Sequence, residues 1–312
     1  MITTLEICAG AGGQALGLEQ AGFHHIALVE IEKQYCDTLK INRPNWNVIC
    51  QDVQVFQGKL YRGHVDLLAG GVPCPPFSVA GKQLGRHDER DLFPEAIRLT
   101  EEIFPCAVML ENVRGLQDPK FDEYRSYIEK SFAQLGYRIF WSLVNSSDFG
   151  VPQLRPRMIL VGIREDFYHG DFCFPSPAKK PPTVGETLED LLGQRGWKGV
   201  GAWKQKADKI APTIVGGSKK HGGPDLGPTR AKRAWAEMGI DGKGIANEAP
   251  AAEFQGMPRL TCRMVARIQG FPDEWVFSGS KTAQYRQIGN AFPPPVACAI
   301  GKQIKEYFKW KH

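Results

Sequence analysis

The feature that most constrains this chain is an alternation across its first 165 residues. Short apolar runs at 4–8, 26–29, 65–69, 107–110 and 158–162 are separated by longer stretches, such as 93–103 and 121–135, with helical spacing. Apolar runs of four or five residues between polar turns have the length of buried strands, whereas apolar residues three and four apart mark amphipathic helices. This alternation predicts a doubly wound α/β sheet of mainly parallel strands, because a helical crossover returns the chain to start the next strand in the same direction. In such sheets ligands bind beyond the carboxyl ends of the strands.

From about residue 174 the character changes. Residues 174–182 form a proline-rich connector, and a glycine-rich, basic segment of weak periodicity follows to about 258. That segment reads as loop-rich. Helices are expected again at 261–268 and 296–308. The expected division is a large domain of 1–180 with 281–312, and a small domain of 181–280; 312 residues suffice for one large core and a smaller module.

Composition excludes some classes. No run of about 18 apolar residues suggests a membrane span, and the N-terminal residues lack a signal-peptide pattern. The eight cysteines form no Cys-x-x-Cys pair. Neither a metal site nor a disulfide framework is therefore expected, and the chain reads as cytoplasmic. Residues 195–233 hold ten Lys/Arg against two acids, a local charge of +8 on a chain whose total is +5. Such a concentration suits a polyanion, although a solvated loop would look the same.

Several motifs carry chemistry. In Cys8-Ala9-Gly10-Ala11-Gly12-Gly13 a strand ends in a glycine turn that opens a helix, a place where backbone can approach a ligand closely. Glu30 ends the second strand, where an acid can grip ribose hydroxyls. Asp52, after a third apolar stretch, can accept from an adenine amino group. With Ile31 and Val53 beside them, these residues suggest a nucleoside pocket without naming the cofactor. An oxidoreductase could be built on the same glycines and Glu30. Cys74 stands in the rigid turn Pro73-Cys74-Pro75-Pro76 at a strand end, the setting of an activated nucleophile rather than a buried inert thiol. Glu111, in Glu111-Asn112-Val113, follows the next strand and is a candidate acid. Gln153-Leu154-Arg155-Pro156-Arg157 opens another strand, with its two arginines expected on one face. They suit a phosphate, a carbonyl oxygen or a carboxylate.

The glycine turn, Pro73-Cys74, Glu111-Asn112-Val113, Gln153-x-Arg155-x-Arg157, Arg259-Leu260-Thr261 with Arg267 to Pro272, and Gln287 to Pro293 occur in an order that resembles the bacterial DNA (cytosine-5) methyltransferases. The resemblance covers nearly the whole chain outside about 175–255. It implies a fold of the adenosylmethionine-dependent methyltransferase type, and S-adenosyl-L-methionine as cofactor with S-adenosyl-L-homocysteine as product. The cofactor would be bound by Cys8, Ala9, Gly10, Gly12, Gly13, Glu30, Ile31, Asp52, Val53, Asn290 and Ala291. It implies attack by the Cys74 thiolate on C6 of a flipped-out cytosine, with Glu111 supplying a proton at N3, Arg157 at the cytosine O2 and Arg155 supporting the backbone.

Double-stranded DNA is the implied partner. The region between Arg157 and Arg259 is where such enzymes keep target recognition, so the basic segment takes on a DNA-binding reading. Ser78, Lys82, Gln153, Thr213, Gly216, Gly217, Ser218, Lys219, Lys220, His221 and Arg230 are the candidate DNA contacts. Trp203 and Trp235 are expected in the small-domain core. A monomer is expected, nucleoid-associated in a prokaryotic cytoplasm, with a cognate restriction endonuclease acting on the same site. Two departures stand out: Pro75 replaces the Gln usual after the nucleophile, and Cys8 replaces an aromatic that often packs on the cofactor. A transfer-RNA methyltransferase of similar design and a DNA-binding pseudo-enzyme are the competing readings.

Overall fold

The computed structural model describes residues 1–73, 91–177, 180–217 and 223–308. Its centre is one sheet of strands β1 (Ile2–Ile7), β2 (Phe23–Glu30), β3 (Val48–Cys50), β4 (Leu67–Gly70), β5 (Ala107–Val113), β6 (Tyr137–Asn145) and β7 (Pro156–Arg164). They lie in the order β3-β2-β1-β4-β5-β7-β6. Strands β1 to β5 pair in parallel. Strand β7 runs antiparallel to both β5 and β6, so the mainly parallel sheet expected from sequence carries an antiparallel edge. All five apolar runs read as strands are strands.

Helices cover both faces, as near-continuous apolar central strands require. On one side α3 (Phe93–Ile103) and α4 (Asp122–Gln134) bury Phe93, Leu99, Ile128 and Phe132 against Leu5, Ile7 and Leu110. On the other, α1 (Gly13–Gln20) and α10 (Pro294–Phe308) place Leu18, Val296, Ile300 and Ile304 with Ala69, Met109 and Val161. The last helix thus returns to the sheet. Its backbone touches that of α1: a Cβ on Gly17 would lie 2.3 Å from the Pro294 carbonyl oxygen. Helix α2 (Lys33–Asn42) closes the end beside β3 through Cys36 and Leu39.

A separate cluster gathers α5 (Val184–Gly193), α6 (Val200–Lys206), α7 (Thr229–Glu237), α8 (Cys262–Ile268) and α9 (Lys281–Asn290) around Leu188, Trp203, Trp235, Met264, Tyr285 and Ile288. The segment read as loop-rich therefore holds three helices. A reciprocal capping box opens α5: the Glu186 amide donates to Thr183 Oγ1, and the Thr183 amide donates to the Glu186 carboxylate. Trp203 and Trp235 are both buried here, as expected. Among the described residues, no helix is long and apolar enough to cross a membrane.

Candidate active site

The ends of β1, β2, β4 and β5 meet at one cleft. After β1 the chain turns through Cys8 and Gly10, both in the left-handed region, into Gly12, which caps α1 at φ 87°. A Cβ on Gly12 would lie 2.7 Å from Leu39 and 2.9 Å from Trp275, so only glycine fits there, whereas a Cβ on Gly10 would meet nothing within 4 Å. Gly10 thus faces open space. Its N–H donates to Glu30 Oε2 at 2.7 Å, and the Glu32 N–H donates to Oε1 at 2.8 Å. Burial pushes the Glu30 carboxyl up, against the lowering effect of these amides. Glu30, Ile31, Asp52, Val53 and Leu92 line one cavity with Cys8. Asp52 Oδ1 also accepts from the Gln54 N–H.

The adjoining cavity is lined by Glu6, Gln14, Gly71, Asn290 and Ala291. Here Glu6 Oε2 and both polar atoms of the Gln14 amide are buried without a partner among the described residues. Burial, with Glu30 nearby, raises the Glu6 carboxyl well above its usual range. Unpartnered buried polar groups are costly and rare, so acceptors and a donor aimed at a cavity fit a polar ligand end carrying an ammonium and a carboxylate. The sequence did not single out Glu6 or Gln14. Their signal was position alone, flanking the glycine turn.

The third cavity joins this pocket to the acid. Cys8, Gly10, Glu30, Pro73, Glu111, Arg157 and Thr213 share its wall. Glu111 Oε1 accepts from Arg157 Nε at 2.7 Å, each side chain only about an eighth exposed. Asn112 Nδ2 donates to the Val72 carbonyl at 2.8 Å, and the Leu92 N–H donates to the Pro73 carbonyl at 3.1 Å. These bonds fix the backbone that enters and leaves residues 74–90. Asn112 had been quoted in its motif with no role; its bond ties β5 to the backbone just after β4.

Other expected residues fall elsewhere. Cys74, Ser78, Lys82, Ser218, Lys219, Lys220 and His221 lie outside the described residues. Gln153, expected as a DNA contact, is fully buried, donating from Nε2 to Gln269 Oε1 at 2.5 Å and accepting from the Ile214 N–H at 2.8 Å. Arg155 lines the same cavity as Glu111 and Arg157 but is buried, its terminal nitrogens donating to the carbonyls of Ile214, Gly289 and Ala291. Burial lowers its pKa, and Arg157 adds to the effect. Gly216 was expected to approach a groove. Its Cβ position is taken instead by the Arg286 carbonyl and Asn290, each 2.5 Å away. Thr213 donates to the Leu154 carbonyl at 2.5 Å, Gly217 has φ 72°, and Arg230 is exposed on α7.

The basic segment is also less bare than its sequence. Arg195, Lys198, Lys204, Lys209 and Lys232 pair with Glu248, Glu253, Glu189, Glu237 and Asp225. Four of these five acids lie outside 195–233, so the local charge overstated the field.

The family model described as C-5 cytosine-specific DNA methylase matches residues 2–306. The type II methyltransferase M.NgoMIV of Neisseria gonorrhoeae is 57% identical over 311 residues, which are 98% of each chain. M.NaeI of Lentzea aerocolonigenes is 56% identical over 310 residues, covering 97% of this chain and 75% of that protein. The solved structure of Spodoptera frugiperda DNMT2 shares the fold at a TM-score of 0.70 and 18% identity, covering 99% of this chain and 100% of that one.

The chain belongs to the C-5 cytosine-specific DNA methylase family. It is a DNA (cytosine-5) methyltransferase built on the adenosylmethionine-dependent methyltransferase fold, and that family draws its methyl group from S-adenosylmethionine.

Proposed function

We propose that this enzyme modifies a specific short site in duplex DNA, as the methyltransferase of a restriction–modification system with a nuclease acting on the same site. It works as a monomer associated with the nucleoid in a prokaryotic cytoplasm. Residues 1–180 with 281–312 form the catalytic domain, and 181–280 the target-recognition domain. The observation that carries this reading is the single cleft in which Glu111 and Arg157 share a wall with Gly10 and Glu30. Full-length similarity to type II methyltransferases supports the biological setting.

S-adenosylmethionine, when bound, supplies an electrophilic methyl on a sulfonium. Glu30 would hold the ribose hydroxyls while anchoring the Gly10 turn. Ile31, Asp52 and Val53 would border the adenine, and Gln14, Asn290 and Ala291 the amino-acid end. Glu6, unpartnered in the same cavity, would face the ammonium.

Cytosine C5 is a weak nucleophile until the Cys74 thiolate adds at C6. That addition forms a C–S bond and pushes an electron pair toward N3, where Glu111 delivers a proton. C5, now part of an enamine, takes the methyl. Loss of the C5 proton to a base or solvent, with return of the N3 proton to Glu111, then expels the thiolate and restores the ring. Arg157, whose Nε holds Glu111 at 2.7 Å, would meet the cytosine O2 as the base enters. Extruding the base costs a few kcal/mol of unstacking, which phosphate contacts in the recognition domain offset. Lys219, Lys220 and Arg230 are the cations proposed for that task.

The test is expression in a host lacking cytosine-5 methylation, followed by bisulfite mapping. Methylation at every copy of one short motif, lost in Cys74→Ser, is expected. No 5-methylcytosine, or methylation scattered without a motif, contradicts the reading.

A further inference from the structure

The strongest unassigned feature is a buried polar network between β7, α8 and α9. Three segments distant in sequence meet there: 153–155, 211–217 and 287–291. Gln269 Nε2 donates to the Ala291 carbonyl at 2.6 Å. Its Oε1 accepts from Gln153 Nε2 at 2.5 Å, and Gln153 Oε1 accepts the Ile214 N–H at 2.8 Å. Arg155 runs alongside, from the Ile214 carbonyl at 2.8 Å to those of Gly289 and Ala291 at 3.0 Å. The peptide groups of Ile214 are thus held on both sides, N–H by Gln153 and C=O by Arg155. The Ala291 carbonyl takes two donors.

The two ends of this chain of bonds face different parts of the cleft. Ala291 lines the cavity beneath the glycine turn with Gln14, while Ile214 and Val215 line the cavity shared by Glu111 and Arg157. Between the ends there is no slack. A Cβ on Gly289 would lie 2.4 Å from the Gly216 nitrogen, so the last turn of α9 and segment 211–217 are in backbone contact. Gln153 and Gln269 are fully buried. Leaving any of these buried groups unpaired is costly. A shift at Ala291 is therefore cheaper when passed on than when absorbed.

We propose that Gln153 and Gln269 are positioning residues that transmit occupation of the cofactor pocket to segment 211–217. The effect is to order that segment for target DNA before DNA arrives. This rests on the cofactor and DNA assignments proposed above and adds the link between them. Neither glutamine touches a reacting atom in this account.

Hydrogen exchange of the full chain, with and without S-adenosylhomocysteine and with no DNA, tests the link. In the wild type the ligand is expected to slow exchange at residues 9–13 and, at least threefold, at amides of 211–217. In Gln269→Met and Gln153→Met the slowing at 9–13 should persist while that at 211–217 disappears. A merely structural role would lower thermal stability but leave the ligand response in both places. Wild-type slowing confined to 9–13 and 287–291 overturns the link even if neither variant folds. Persistence of the 211–217 response in a folded variant overturns it too. Absence of any slowing at 9–13 in the wild type contradicts the cofactor assignment instead, and the link falls with it.

Discussion

Arg157 and Glu111 meet across an antiparallel pair. Arg157 lies opposite Val113, two residues from Glu111 on the same face of β5, and its Nε reaches Glu111 Oε1 at 2.7 Å. The antiparallel direction of β7 is what brings them together. If Glu111 supplies the N3 proton, its chief contribution arises in the transition state. Glu111→Gln should lower kcat by roughly 10²–10⁴, the usual size of a general-acid contribution. Affinity for S-adenosylhomocysteine should change little. Single-turnover kinetics beside ligand binding make the check: an unaltered chemical step would remove Glu111 from that role.

The cofactor side has its own anchor. Glu30 holds the Gly10 turn and the start of α2 through two amides, and in the proposed complex it also meets the ribose. Hydrogen bonds to a charged group contribute about 1.5–3 kcal/mol. Glu30→Ala should therefore weaken S-adenosylhomocysteine by roughly 10–100-fold in calorimetry, and NAD should show no binding to the wild type. Unchanged affinity in the variant would move the nucleoside elsewhere.

His25 sets a pH dependence. Its Nε2 lies 2.9 Å from the Ala15 carbonyl and its ring meets the edge of Trp46. Burial lowers its pKa from 6.5 to about 4. Between those values the unfolded chain binds the proton and the folded chain does not, so stability rises with pH across the window and falls on acidification from about 6.5 toward 4. Thermal denaturation at stepped pH should show this slope, and His25→Gln should flatten it. An equal slope in both proteins would assign the effect to other groups.

Helices α1 and α10 are close enough to exclude a methyl group. With Pro294 O at 2.3 Å and the Ala297 Cβ at 2.6 Å from its Cβ position, Gly17→Ala forces the helices apart. Overpacking of this kind costs about 1–3 kcal/mol. A lowered Tm is expected, with Glu111 chemistry retained in the folded fraction. A Tm equal to wild type would mean the contact is looser than these distances imply.

Much of this was readable in the sequence, and the failures have physical causes. The central strands were legible because both faces are buried and their residues are continuously apolar. Strand β6 was missed: it pairs only with β7 at the sheet edge, and most of its residues are half-buried, which leaves neither a continuous run nor a clean alternation. The helices of 184–237 were hidden by glycines and lysines, although Thr183-x-x-Glu186 was an available N-terminal signal. Motif order had named Glu111 and Arg157, which share a cavity wall and an ion pair. Gln153 and Gly216 were read as outward because a linear motif does not tell which member faces the ligand and which faces the fold.

The central claim is that Cys74 attacks C6 while the C5 proton is still in place. A free thiol has a pKa of about 8.5, so the site must activate it or collect its proton as attack proceeds. A duplex carrying 5-fluorocytosine at the mapped target position tests this most directly. Fluorine at C5 cannot leave as a proton, so the thiolate cannot be expelled after methyl transfer. With the wild-type enzyme and S-adenosylmethionine, a denaturant-resistant adduct should form, and peptide mass spectrometry should place the methylated base on Cys74. An adduct through another residue, or Cys74→Ser methylating ordinary cytosine at near wild-type rate, would contradict it.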